Sequence, residues 1–278
     1  MIFCKELNKE FDTKEQMFKE LKSNESKIIK LKKASVQKSC DKGQFSPIMT
    51  SVKFDETVKA ELNMKEDFIY PIINTTLLMD SHSDVHFDGL WNRSLRDQKG
   101  QLFYVADHSL KVSDVIAWTE DVKAFVRDLT WQSLGKDHEG STQALIFEIS
   151  KSKIVNEAAE KAITDKKKVQ NSVRMQYVKI QFAVNSNDKD YVVNKAYFDS
   201  KINLIANKEE VMEQGYFWGI EEAKIYKEGS MVLFGSNPIT PVLQLNEEPE
   251  KSTLEENDQP SSDTEKREYY LSQLKIEK

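Results

Sequence analysis

Residues 223–234 read Ala-Lys-Ile-Tyr-Lys-Glu-Gly-Ser-Met-Val-Leu-Phe, a run dense in β-forming side chains that Asn237-Pro238 then interrupts. A stretch of this kind belongs in a sheet, so the rest of the chain must supply partner strands. Residues 68–78 (Phe68, Ile69, Tyr70, Ile72, Ile73, Leu77, Leu78), 101–105 and 144–149 have the required apolar density. Residues 172–184 alternate, with Val173, Met175 and Tyr177 set against Ser172, Arg174 and Gln176. Weaker strands are expected at 27–36, as an edge, and at 89–93. A period near 3.6 predicts helices at 112–129, 153–168 and, weakly, 196–214. Thr13 with Gln16 forms a capping pair ahead of Met17, Phe18 and Leu21 and predicts an opening helix. The mixture predicts an α+β fold.

Charge divides the 278 residues unevenly. The formal net charge is −6, and residues 246–278 hold most of it, which leaves a nearly neutral body. Such a body lacks the concentrated basic face that nucleic-acid binding needs. No apolar run reaches the roughly 18–20 residues needed to cross a bilayer, and residues 1–9 are too charged for a secretory signal. Cys4 and Cys40 have no metal-ligand spacing around them and read as reduced cytoplasmic thiols. Three segments are expected: an N-terminal helical extension at 1–26, a domain at 27–245, and an acidic tail at 246–278. Residues 246–265 contain one aliphatic side chain, Leu254, and read as disordered. Tyr269, Tyr270 and Leu274 suggest a short amphipathic end.

The densest polar chemistry is Asp80-Ser81-His82-Ser83-Asp84-Val85-His86-Phe87-Asp88-Gly89. An extended backbone would put Asp80, His82, Asp84, His86 and Asp88 on one face. That ladder admits a divalent-metal site, a catalytic histidine with a carboxylate, or an inert polar turn. The further Gly-Asp and Gly-Asn-His segments of a metallophosphoesterase are missing, and His108 and His138 stand alone, so no metal is assigned. Ser172 follows a predicted helix at the start of a strand, without the Gly-x-Ser-x-Gly elbow of an α/β-hydrolase. No nucleotide-binding glycine motif occurs among the nine glycines.

Taken in order, these segments form a pattern. A histidine (His82) stands seven residues before Gly89, and Gly100-Gln101-Leu102 follows. Next come a helix and Ser172-Val173 at a strand start, and last the stretch from Lys227-Glu228-Gly229-Ser230 to Gly235-Ser236-Asn237-Pro238. Over residues 30–242 the chain resembles the prohead (capsid maturation) proteases of tailed phages. The resemblance implies an assemblin-like fold, a small mostly antiparallel β-barrel flanked by helices. It implies a serine endopeptidase with Ser172 as nucleophile and His82 as general base. Glu228 is the third group, with Glu222 and Asp84 as alternatives. Arg174 stands where the family carries a small residue and is the candidate oxyanion donor. The implied substrates and partners are the major capsid protein and scaffold protein of a tailed phage, the chain itself, and further copies of it. The setting is the host cytoplasm, inside the assembling procapsid, with no cofactor, nucleic acid or membrane. The acidic tail suits self-cleavage or docking to scaffold. The alternative is a catalytically inactive capsid-assembly or scaffold protein that keeps the protease fold.

Overall fold

The computed structural model describes residues 1–34 and 62–244. Contacts separate a unit Met1–Leu245 from Asn246–Lys278. The tail expected at 246–278, with its short amphipathic end, and Cys40 lie outside the described residues.

The chain opens with a hairpin, β1 (Ile2–Cys4) and β2 (Lys9–Phe11), followed by helices α1 (Lys14–Ser23) and α2 (Glu25–Ala34). Thr13 caps α1 by accepting from the Gln16 amide, and Gln16 Oε1 accepts from Asp12 N. Met17, Phe18 and Leu21 form the buried stripe of α1. Two sheets then carry the fold. In one, β3 (Phe68–Thr75), β7 (Lys123–Thr130), β8 (Ser141–Ser150) and β11 (Val242–Gln244) lie in the order β11-β3-β8-β7, all antiparallel.

The other sheet is organised by the 17-residue β10 (Tyr216–Val232). Along one edge it pairs antiparallel with β9 (Gln170–Val184), from Tyr216↔Val184 to Val232↔Gln170. Along the other edge, Trp218–Ile220 pair in parallel with β4 (Asp84–His86). Farther on, Glu228–Met231 pair in parallel with β5 (Phe103–Ala106), outside which lies β6 (Val115–Ala117).

Val173, Met175, Trp218 and Ile225 from this sheet share one buried cluster with Ile73, Leu145 and Phe147 from the other. Gly229 is where β10 comes nearest to the second sheet. A Cβ there would lie 2.7 Å from the Phe147 ring and 2.9 Å from Ile73 Cγ2, so no larger residue fits without displacing them. The other helices are α3 (Asn92–Asp97), α4 (Glu157–Thr164), α5 (Val192–Lys201) and α6 (Lys208–Gln214).

The α+β class holds, while among the described residues no sheet closes into a barrel. No described helix is long and apolar enough to cross a membrane. Four local expectations change. Residues 25–34 are helical rather than a strand: Glu25 in the first turn and Lys32 and Lys33 in the last suit the helix dipole, and Ile28 is buried. The helix expected at 112–129 is instead β6 and β7, because pairing with β5 and β8 overrides an apolar spacing that happens to match a helix. The strand expected at 89–93 is a turn leading into α3, with Gly89 at φ +84 and its amide donated to Gln143. The single helix at 196–214 divides into α5 and α6. The second ends at Gly215, whose φ of 84 supplies a left-handed C-cap.

Candidate functional site

The end of the β9–β10 ladder gathers three of the residues singled out from sequence. Ser172 pairs with Ser230, and Val173 with Gly229. Side chains of paired residues share a face. Gly229 and Val173 therefore look into the core, and Ser172 and Ser230 look to the other side. Just before this point the register jumps. Ile225 faces Met175 and Gly229 faces Val173, so Tyr226, Lys227 and Glu228 together oppose Arg174. The bulge is marked by Lys227 at φ 72. It leaves Tyr226 exposed and swings Glu228 fully inside, as bulges beside functional sites do when they re-aim a side chain.

The corner after β5 closes over this face. Asp107 and His108 both take left-handed backbone conformations, φ 50 and 56. Asp107 N donates to Met231 O, and His108 N donates to Ser230 Oγ at 2.8 Å. Ser230 Oγ in turn donates to Val105 O. The His108 ring is thereby brought to Glu228, with Nδ1 2.8 Å from Oε1. Nδ1–H donating to this carboxylate leaves Nε2 with the lone pair.

Arg174 completes the cluster. Its Nε lies 3.4 Å from Glu228 Oε1, and its Nη2 donates to the carbonyl of His108. A carboxylate wholly out of water needs such a counter-charge. Ser172 and His108 are each about 8% exposed, so the face is nearly closed but open to solvent at its rim. Neither Ser172 Oγ nor His108 Nε2 makes a hydrogen bond to a described residue.

Several sequence expectations are corrected here. His82 lies in the turn before β4, with its amide donated to Asp80 Oδ1 and its carbonyl accepting from Lys32. β4 pairs with β10 at Trp218, twelve residues from Ser230, the partner of Ser172. At about 3.3 Å per residue that is on the order of 40 Å of strand contour. His82 therefore lies toward the far end of the ladder from Ser172, whereas the backbone amide of His108 reaches Ser230, the strand partner of Ser172.

Asp84 is also elsewhere, 2.6 Å from Lys32 Nζ and accepting from Tyr177 OH. Glu222 pairs with Arg93 at 3.3 Å, partly exposed, on the far side of the bulge. The oxyanion role expected of Arg174 does not match a guanidinium directed at Glu228 and the His108 carbonyl. The extended Asp/His ladder is interrupted by Ser83 at φ 57, so Asp80 and His82 lie in the turn before it while Asp84 and His86 of β4 share a face at the Tyr177 hydroxyl. Among the described residues no His, Cys, Asp and Glu group could hold a metal.

His108 was missed because its signal is geometric. It stands two residues beyond the end of β5, in the polar triplet Asp107-His108-Ser109. Its approach to Glu228 depends on two consecutive left-handed residues that nothing in their identities announces. A histidine immediately after a buried strand, within a polar corner, was the available clue.

The Asp80–Asp88 segment does carry a buried network. Lys32 from α2 meets Asp84, Asp84 meets Tyr177, and Tyr177 OH lies 3.2 Å from His86 Nε2, whose Nδ1 is 3.1 Å from Asn74 Nδ2. Burial would lower the Lys32 ammonium, but the charges of Asp84, Glu6 and Asp80 prevail and raise its pKa. Burial, with the Asp84 and Asp80 charges, also raises the Tyr177 phenol well above its usual value. This network ties α2 to both sheets. Cys4 is a buried free thiol, held above its ordinary pKa by burial and by Glu6, which disfavours the thiolate form.

Comparison of the chain with protein-family models, with curated proteins and with solved structures gave no match.

Proposed function

We propose that the chain is a serine endopeptidase of the prohead-protease type, with Ser172 as nucleophile, His108 as general base and Glu228 as the carboxylate that orients the imidazole. The observation that carries the reading is the 2.8 Å His108–Glu228 contact, in a cluster that also contains Ser172 on the neighbouring strand. A serine hydroxyl is a weak nucleophile until a base takes its proton. In this reading His108 Nε2 takes the proton as Ser172 Oγ attacks a peptide carbonyl, and returns it to the leaving amine. Water then enters by the same route and releases the acyl group. Glu228 holds the Nδ1–H tautomer and stabilises the imidazolium formed in each step. Ser172 and His108 share no hydrogen bond here, which on this reading means the site tightens on substrate, since catalytic hydrogen bonds are often long before substrate binds.

The substrates on this reading are extensions of scaffold and major capsid protein inside an assembling procapsid, and the acidic stretch of this chain. A protease site takes substrate as extended chain, and a polar, Pro-containing acidic sequence of this kind offers few apolar contacts that would have to be undone first. The test is co-expression with the major capsid protein, read by intact mass. Wild type should shorten the capsid protein and should itself be cut between residues 245 and 266, and Ser172→Ala should do neither. Equal masses for the two would leave a non-catalytic assembly protein as the better description.

A further inference from the structure

Arg174 is the residue in this cluster that the serine, histidine and carboxylate chemistry does not require. Its side chain is 16% exposed and reaches a carboxylate that is 0% exposed. Its two contacts differ: Nη2 donates to the His108 backbone carbonyl, while Nε stands in ion-pair contact, without hydrogen-bond geometry, with Glu228, which holds the His108 ring. We infer that Arg174 is a positioning residue that holds His108 from both ends, fixing the carboxylate on its ring and the left-handed corner that carries its backbone. The inference rests on the proteolytic reading and adds to it a specific dependence on the guanidinium.

Three features support it. The corner at Asp107–His108 is a sparsely populated conformation for non-glycine residues and persists only where its surroundings hold it. Ser230 and Met231 secure its amides, and Arg174 secures the carbonyl of His108. Second, the bulge in β10 places Glu228 within the three residues that oppose Arg174, so strand register as well as side-chain reach brings ring, carboxylate and guanidinium together. Third, the fork of an arginine can serve two acceptors at once, which a lysine ammonium at the same place does less well. The other charges near the corner are occupied or outward: Asp114 accepts from Ser109 and Ser113, and Lys111 is exposed.

The experiment compares wild type, Arg174→Ala, Arg174→Lys and Arg174→Gln by peptide-cleavage kinetics and by nitrogen NMR of the His108 ring, with thermal unfolding to identify any variant that fails to fold. Arg174→Ala should lower kcat roughly 10–100-fold with KM within about threefold, no more than the lower end of the roughly 10²–10⁴-fold loss expected when the Glu228 carboxylate is neutralised. Added methylguanidinium should recover at least tenfold of that loss, and Arg174→Lys should fall between wild type and Ala. The ring should be the Nδ1–H tautomer in wild type and a mixture in Arg174→Ala and Arg174→Gln. An unchanged ring tautomer in the folded variants would overturn the inference, whether or not kcat falls. Failure of the proteolytic reading is separable: wild type would then show no Ser172-dependent cleavage, while the NMR comparison would still report whether Arg174 sets the ring.

Discussion

His108 Nδ1 and Glu228 Oε1 lie 2.8 Å apart, although 120 positions separate the two residues in the chain. The contact requires both the β10 bulge that turns Glu228 inward and the left-handed corner that turns His108 toward it. Neutralising the carboxylate keeps its shape and removes its preference for one tautomer. Glu228→Gln should therefore fold and lose about 10²–10⁴ in kcat. Cleavage kinetics with circular dichroism check this, and a rate within threefold of wild type would remove Glu228 from the mechanism.

The two histidines make opposite predictions. His108→Asn should lose essentially all Ser172-dependent cleavage, whereas His82→Asn, altered near the opposite end of the long ladder, should stay within about threefold of wild type. Peptide assays on both variants decide between them. Loss of activity in His82→Asn with retention in His108→Asn would return the base to the Asp80–Asp88 segment.

Gly229 separates Glu228 from Ser230, and its missing side chain lets β10 lie against Phe147 and Ile73. Gly229→Ala adds a methyl group to a filled core, a change that costs about 1–3 kcal/mol. For a domain of this size that is a fall in Tm of roughly 2–4 °C per kcal/mol. Calorimetry measures it. A variant as stable as wild type would show that the two sheets can part at this point without cost.

Stability should decline on the alkaline side. The Lys32 ammonium and the Tyr177 phenol both have raised pKa values in the folded protein, from ordinary values of 10.5 and 10.0. The folded state then keeps protons that the unfolded chain releases, and stability falls as pH rises past those ordinary values. Urea midpoints should hold steady to about pH 9.5 and drop by pH 11, less steeply in Tyr177→Phe. At neutral pH, Lys32→Met leaves Asp84 buried without its cation and should cost about 3–5 kcal/mol. A midpoint that rises between pH 9.5 and 11 would contradict the assignment of both groups.

Elements whose periodicity and pairing agree were legible in the sequence. The alternation of Val173, Met175 and Tyr177 gave β9, the apolar density of 68–78 gave β3, and Thr13 with Gln16 gave α1. Where pairing opposed periodicity, the reading failed. Val115, Trp118, Val122 and Phe125 fall at helical spacing, but strand partners on either side claim them for β6 and β7. At the site, Ser172 and Glu228 were visible through the segments around them. His108 was not, since its place depends on two φ values and a bulge in a distant strand. The Asp/His ladder drew attention through composition, and its side chains serve largely to anchor α2 and the β4 turn.

The proposed activation of Ser172 by His108 is tested most directly by covalent labelling with a fluorophosphonate, which reacts with an activated serine, followed by peptide mass mapping. The account predicts one adduct, on Ser172, absent from His108→Asn and retained in His82→Asn. No adduct on Ser172 in folded wild-type protein, or equal labelling in His108→Asn, would contradict it.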